Sequence, residues 1–279
     1  MTWTPTARTH LCAVIGHPVR HSLSPVIHNA GFRALDLDWA YLAFEVPPGD
    51  APEALAAMRL LGIAGLNVTM PHKADVAAAV DRLSPTAAAL GAVNTVVRDG
   101  DELVGESTDG AGFLRSLDDE AFDPAGCRAV VLGAGGAGRA VVYALAGAGA
   151  EVVVVARRPE AAGAAAALGG TVGDEAAVAA ADLVVNATPV GMHGVTGLHH
   201  EPQVPFDPDL LHEGQLVVDL VYEPLVTPLL DAAKQRGAVA VNGVGMLLHQ
   251  AALAFERWTG QPAPLPSMSA ALLAELGRR

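Results

Sequence analysis

The chain has 279 residues, 51% of them hydrophobic, which is enough for one large domain or two modest ones and too apolar for extended disorder. Acidic residues outnumber basic ones by 30 to 17, and a formal charge of −13 argues against a phosphate-tracking nucleic-acid surface and against docking on anionic lipid. It leaves room for a small anionic substrate, because one well-placed cation sets a local field. Two cysteines, Cys12 and Cys127, lie far apart in no CxxC pattern, which disfavours a disulfide framework or a zinc site and fits a reducing cytoplasm. Residues 1–10 carry no apolar signal-peptide core, and the uncharged stretch 237–255 holds Asn242, His249 and Gln250, so it reads as strand, turn and helix instead of a membrane span.

In chain order, residues 11–15 are a short apolar run ending at Gly16 and predict a first strand. Ser24-Pro25 reads as an N-cap with proline at the first helical position, and Ile27, Ala30, Phe32 and Leu35 supply that helix with an apolar face. A strand over 41–46, a helix over 52–61, a strand over 65–69 and a helix from Pro71 to about residue 80 follow. Residues 92–98 and 102–105 are expected to pair as a hairpin through Asp99-Gly100, a favoured turn dipeptide. From residue 129 the character changes. Residues 129–132 form a strand that enters a glycine turn and an alanine-rich helix; 151–155 is a β-branched run suited to a parallel sheet buried on both faces. Further strands at 183–186 and 216–220 alternate with helical stretches, which indicates βαβ units. Helices close the chain over 246–259 and after Ser267.

Three features carry chemistry on their own. The first is Gly133-Ala134-Gly135-Gly136-Ala137-Gly138, a G-x-G-x-x-G directly after a strand and before a helix. Gly133 permits the tight turn, Gly135 lets backbone approach a pyrophosphate, and Gly138 allows close helix–strand packing. A lone G-x-G-x-x-G is a weak signal, and its strand–turn–helix context favours a dinucleotide over a plain alanine- and glycine-rich turn. The second is Arg157-Arg158 at the end of the next strand, with no acid before Glu160. NAD-binding proteins place an acid there for the ribose hydroxyls, whereas guanidiniums suit a 2′-phosphate, so NADP is the expected cofactor; two solvated loop arginines are the plainer alternative. The third is Lys73. Only Lys73 and Lys234 among the 17 basic residues are lysine. An amine can lose its proton when buried or paired and a guanidinium effectively cannot, which suits a carbonyl-reducing site as well as it suits a surface lysine. Asp109, in Ser107-Thr108-Asp109-Gly110 where the first domain gives way to the second, is its candidate partner, with a helix cap as the commoner use of such a residue.

Taken together, several stretches resemble the shikimate dehydrogenase family. They are Gly16-His17-Pro18 leading to His21-Ser22-Leu23-Ser24-Pro25 with His28-Asn29; Gly65-Leu66-Asn67-Val68-Thr69-Met70-Pro71-His72-Lys73; Gly91-Ala92-Val93-Asn94-Thr95; and Ser107-Thr108-Asp109-Gly110. Beyond the glycine loop come Asn186-Ala187-Thr188-Pro189-Val190-Gly191-Met192, Asp219-Leu220-Val221-Tyr222-Glu223-Pro224 with Thr227-Pro228, and Asn242-Gly243-Val244-Gly245-Met246 running to His249-Gln250. The glycine loop is generic; the ordered set, covering about residues 11 to 260, is specific.

The resemblance implies an NADP-dependent oxidoreductase that reduces 3-dehydroshikimate to shikimate. It implies an α/β substrate domain over 1–108, completed by C-terminal helices from 244–279 that pack back on it, and a Rossmann-like doubly wound NADP domain over 109–243. Ser22 and Ser24 would bind the substrate carboxylate with Tyr222 nearby. Asn67, Thr69, Asn94, Asp109 and Gln250 would surround the ring hydroxyls, and Lys73 with Asp109 would form the catalytic pair. The glycine loop, Arg157, Arg158 and Thr188 would hold the cofactor, with Gly243 and Met246 near its nicotinamide. Singly, the serines also suit helix caps, Asn67 and Asn94 suit turns, and Gln250 suits a polar position on an apolar helix.

Two positions depart from the family's pattern. Ser107 stands where asparagine is usual, and Ala156-Arg157-Arg158 replaces Asn-Arg-Thr. Ser24 and Arg157 speak against an NAD-using quinate/shikimate relative, an aminoshikimate dehydrogenase stays open, and Lys73 with Asp109 speaks against a non-catalytic NADP-binding protein. The ten histidines, His199-His200 included, show no ligand spacing, so no metal is expected. The expected partner is a small molecule, in a cytoplasmic monomer or homodimer.

Overall fold

Short apolar runs, punctuated by glycine and proline, become the strands of two six-stranded sheets, one in each of two units. The computed structural model describes residues 4–192 and 204–279. The first unit draws on Met1–Thr108 and Leu248–Arg279, the second on Asp109–Leu247.

The first unit opens with β1 (His10–Gly16), α1 (Ser24–Ala34), β2 (Trp39–Glu45), α2 (Ala51–Leu61), β3 (Gly65–Val68) and α3 (Lys73–Ala79). It continues through β4 (Arg82–Leu83), α4 (Pro85–Leu90), β5 (Thr95–Asp99) and β6 (Glu102–Glu106). The sheet order is β2-β1-β3-β5-β6-β4, with β1 parallel to β2 and β3, and β5 antiparallel to both β3 and β6. Asp99 pairs with Glu102, so the expected hairpin turns through Gly100-Asp101, with Gly100 at φ 62°. One face of the sheet, including Ala13, Ile15, Leu66, Val68 and Val96, packs on Leu55, Met58, Val76 and Ala87.

The second unit contains α5 (Asp109–Asp119), β7 (Arg128–Leu132), α6 (Gly136–Gly147), β8 (Glu151–Val155), α7 (Pro159–Ala166) and β9 (Gly170–Val172). After a short 3₁₀ turn come β10 (Leu183–Asn186), β11 (Leu216–Asp219), α8 (Pro228–Gln235) and β12 (Val239–Asn242). All its strands are parallel in the order β12-β11-β10-β7-β8-β9. Counted from β9, that is the 3-2-1-4-5-6 order of a doubly wound sheet. Burial on both faces explains the unbroken β-branched runs. Val131, Val154, Val185 and Val218 point into one core with Val141 and Leu145, while Val130, Val184 and Val217 point into another with Leu229 and Ala233.

α9 (Val244–Thr259) carries the boundary between the units at Leu247 and Leu248, and α10 (Leu265–Leu276) follows. Within the first unit the far end of α9 closes the second face of the sheet. The rings of Phe255 and Phe32 lie 5.2 Å apart, and Trp258 Nε1 donates to Val96 O at 3.1 Å. The indole covers Gly65 so closely that an added Cβ would overlap it. Gly65→Ala is therefore expected to destabilise the first unit by about 1–3 kcal/mol, the usual cost of overpacking a filled core. Urea melts followed by Trp258 fluorescence check this; an unchanged midpoint would refute it.

Two expected helix starts are corrected. Ser24 is not an N-cap. Leu23 holds that position without a side-chain cap, and Ser24 is the first helical residue, its hydroxyl turned toward Tyr41. The helix expected from Pro71 begins at Lys73, because residues 69–72 are taken up by a turn closed by His72 N–H donating to Thr69 O at 3.1 Å, with a cis Met70–Pro71 bond. The elements absent from the sequence reading (β4, α4, α7, β9 and α8) are short, several of them alanine- and glycine-rich, and too brief for periodicity to register.

Candidate active site

In the second unit the strand order reverses between β7 and β10, and the loops leaving those two strands lie side by side. Ala187 N–H donates to Leu132 O at 2.7 Å, which draws the Thr188 loop against the glycine loop. Gly133 adopts φ 104°, and a Cβ there would sit 2.8 Å from Ala187 O, so both the turn and the approach require glycine. Gly138 lies directly on Gly133 O, seating α6 against the strand end. Gly135 is the N-cap of α6 with nothing within 4 Å of its added Cβ, and Gly135 and Gly136 are exposed. Ala134 and Ala137 fill the loop, half-buried between them. The result is a side-chain-free surface beside the first N–H groups of a 12-residue helix, which fits a dinucleotide pyrophosphate. Arg157 and Arg158 follow β8 and are exposed.

A buried polar network ties the neighbouring loops together. The Asp219 carboxylate, fully buried at the end of β11, accepts from Asn186 Nδ2 at 2.9 Å, from Val221 N–H at 3.1 Å and from Thr227 Oγ1 at 2.6 Å. Asn186 in turn accepts from Thr188 N–H at 3.0 Å and Thr188 Oγ1 at 2.6 Å. Burial raises the Asp219 pKa above its ordinary 3.8, against the lowering effect of those donors. The same carboxylate thus fixes the start of the Tyr222 loop and, through Asn186, the conformation of Thr188. Gly243 packs on Leu220 O with no room for a side chain, and Met246 sits in the apolar core.

In the first unit the candidate side chains gather at the ends of β1 and β3. Gly16 leaves space that the Thr69 methyl fills, and Thr69 N–H donates to Ile15 O at 3.0 Å. His72 is fully buried with Nε2 2.8 Å from Val46 O, so it tethers the turn that presents Lys73, half-buried at the head of α3. Lys73 O accepts from Val93 N–H at 2.9 Å, linking that turn to the Asn94 segment. Ser22 Oγ accepts from Ser24 N–H at 3.3 Å, which sets the two serines side by side.

Asn67 and Asn94 are both buried. Asn67 Nδ2 donates to Asn94 O and to Thr95 Oγ1, each at 3.2 Å, and its Oδ1 accepts from Tyr41 Oη at 2.6 Å. Asn94 Oδ1 accepts from Thr108 N–H at 2.8 Å, and Asn94 Nδ2 donates to Thr108 Oγ1 at 2.9 Å.

Ser22, Ser24, Asn67, Thr69, Lys73, Asn94 and Gln250 therefore belong to the first unit; Asp109, Tyr222 and all the candidate cofactor residues belong to the second. Asp109 is buried as the first residue of α5. Residues whose roles the sequence reading missed are Tyr41, Thr95, Thr108, Asn186 and Asp219. Four of them stood inside the quoted motifs, but only the hydrogen-bond network shows what they hold. Among the described residues no three His, Cys, Asp or Glu side chains gather as a metal site requires, and no helix is long and apolar enough to cross a membrane. His199 and His200 lie outside the described residues.

The comparisons with known proteins run the length of the chain. Residues 14–96 match the shikimate dehydrogenase substrate binding domain, and residues 243–273 match the shikimate 5′-dehydrogenase C-terminal domain. A shikimate dehydrogenase (NADP(+)) of Moorella thermoacetica is 47% identical, over 97% of this chain and 95% of that protein. One of Methanopyrus kandleri is 46% identical, over 97% of each. The crystal structure of shikimate 5-dehydrogenase from Thermus thermophilus in complex with NADP(H) and shikimate is 40% identical, covering 95% of this chain and 99% of that one, with a TM-score of 0.88. With identity this high from end to end, and a doubly wound sheet that carries its glycine loop at the point of reversal, the chain belongs to the shikimate dehydrogenase family.

Proposed function

We propose that the chain catalyses the reversible, NADPH-dependent reduction of 3-dehydroshikimate to shikimate, a step in making aromatic amino acids. The observation that carries this is identity of 46–47% over 97% of the chain with proteins named for that activity and cofactor. Residues 1–108 with 244–279 serve as the substrate domain and 109–243 as the NADP domain, and the enzyme works in the cytoplasm.

Bound NADPH supplies a hydride to the ring carbonyl carbon. The protein does the rest. Ser22 and Ser24 hold the substrate carboxylate, Asn94 and Gln250 orient the ring hydroxyls, and Thr69 packs beside them. Lys73 delivers a proton to the oxygen as it becomes a hydroxyl and takes one back in the reverse direction, with Asp109 as its partner. A ring hydroxyl matched by a buried polar group discriminates strongly, because an analogue lacking it leaves that group unpaired.

Arg157 and Arg158 face solvent where the ribose 2′-phosphate would lie, and the first acid after β8 is Glu160. The double variant Arg157→Ala/Arg158→Ala is expected to raise the KM for NADP at least tenfold while moving the KM for NAD less than twofold, since two charge-assisted contacts made only by the 2′-phosphate are lost. Parallel titrations with the two cofactors check it, and equal losses with both would refute the assignment.

The reaction itself is tested by nicotinamide absorbance during incubation with shikimate and NADP, with quinate and NAD exchanged in parallel. Fast NADPH formation with shikimate supports the reading. Turnover only with quinate or NAD overturns it.

A further inference from the structure

Tyr41 is a phenol with no solvent exposure, on the edge strand β2. Asn29 from α1 accepts from Tyr41 N–H at 2.9 Å and donates to Tyr41 O at 2.8 Å, standing in for the missing ladder neighbour of an edge residue. The ring stacks on His28 with centroids 4.4 Å apart and planes at 10°. Packing alone would accept phenylalanine here. The hydroxyl has a different assignment: it donates to Asn67 Oδ1 at 2.6 Å and has the Ser24 hydroxyl as its other hydrogen-bonding neighbour. Burial raises the phenol's pKa well above 10, so it stays a donor at every working pH.

The direction of this chain of bonds is forced. A carboxamide can sit in two orientations of nearly equal shape, one with its oxygen and one with its nitrogen toward a given neighbour. Asn94 O is a carbonyl and can only accept, so Asn67 Nδ2 must face it, and Oδ1 must then face Tyr41. From Asn67 the order passes on. Thr95 Oγ1 accepts from Asn67 Nδ2 at 3.2 Å and donates to Asn94 Oδ1 at 3.0 Å. Ser24 lies at one end of the sequence of contacts and Asn94 at the other.

We infer that Tyr41 is a positioning residue for the substrate: its hydroxyl clamps the Oδ1 end of Asn67 in place and, through Asn67 and Thr95, steadies Asn94, while Tyr41 itself touches no ligand. This rests on the reading that Ser24 and Asn94 bind shikimate. Without the hydroxyl, Asn67 Oδ1 loses that buried donor; Nδ2 stays on Asn94 O and Thr95 Oγ1, but the amide is then held from one end only and shifts, which would displace the groups presented to the substrate and leave the cofactor site in the other unit alone.

The test is Tyr41→Phe, with steady-state kinetics on both substrates and a thermal melt, after the wild-type protein has been assayed with shikimate and NADP. The expected result is a KM for shikimate raised about tenfold, the size of one net hydrogen bond, with kcat and the KM for NADP each within about twofold of wild type. A lower melting temperature with unchanged KM values would mean a purely structural hydroxyl and would overturn the inference. Thr95→Val cuts the same chain downstream with Tyr41 in place, and it should reproduce the selective rise in shikimate KM. If Tyr41→Phe does not fold, that second variant decides, and a normal shikimate KM in it overturns the inference. Wild-type protein that fails to oxidise shikimate would bring down the functional reading and this inference together, whereas an active wild type with unaltered variants removes only the inference.

Discussion

With Lys73 replaced by alanine, turnover of shikimate with NADP falls by about 10²–10⁴-fold while NADP binding stays at its wild-type affinity, since general acid–base catalysis supplies roughly that factor. The expectation follows from how Lys73 is held. His72, buried and bonded to Val46 O, anchors the turn before it, and the Val93 N–H bond to Lys73 O anchors its main chain. Removing the side chain beyond Cβ leaves both anchors in place, so the variant should fold. Lys73→Arg separates proton transfer from charge. A guanidinium keeps the positive charge but effectively never releases its proton, so this variant should be nearly as slow as alanine. Steady-state rates and fluorescence titration of NADP check both variants. Near-normal kcat in Lys73→Arg would show that Lys73 contributes only charge.

How far such residues were legible in the sequence depended on the kind of signal each one gives. The central strands of the second unit were readable because burial on both faces demands continuous β-branched runs; Glu151–Val155 and Leu183–Asn186 fall where the pattern puts them, whereas the edge strand β9 has no such run. The glycine loop was readable because close approach leaves no alternative residue at Gly133. Lys73 was singled out by its rarity in an arginine-rich chain. Tyr41 and Thr95 gave no such signal. Each sits in an apolar strand, where an aromatic or β-branched residue already satisfies β propensity and packing, so nothing in the local pattern marks a hydroxyl as employed. The Ser24 cap failed for a related reason. Ser-Pro is a fair helix-start signal, but the hydroxyl is drawn to the Tyr41 phenol on the following strand, a contact no local rule sees. Long-range polar pairing is the part that required the fold.

Asp219 shows the same limit and leads to the second large expected effect. Asp219→Ala strips the acceptor from three donors, Asn186 Nδ2, Val221 N–H and Thr227 Oγ1, in a site with no solvent exposure. Each buried donor left without a partner costs about 1–3 kcal/mol, so the second unit should lose about 3 kcal/mol or more and bind NADP weakly or not at all. Asp219→Asn keeps the shape and one carbonyl acceptor, so its loss should be smaller, and pH should reveal the carboxylate. Burial raises the folded-state pKa of Asp219 above 3.8, so the native protein takes up this proton at a higher pH than the unfolded chain does. For an acid shifted in that direction, protonation favours the folded state. Lowering the pH through the raised pKa toward 3.8 therefore adds stability from this one group to the wild type, and the asparagine variant lacks that term. The stability gap between wild type and Asp219→Asn should widen in favour of the wild type as pH falls through that window. Urea melts of both proteins at pH 7 and at several steps down to pH 4 measure the gap. A gap that shrinks with falling pH would mean that the folded state holds Asp219 as a stabilised anion, and that the three donors outweigh burial.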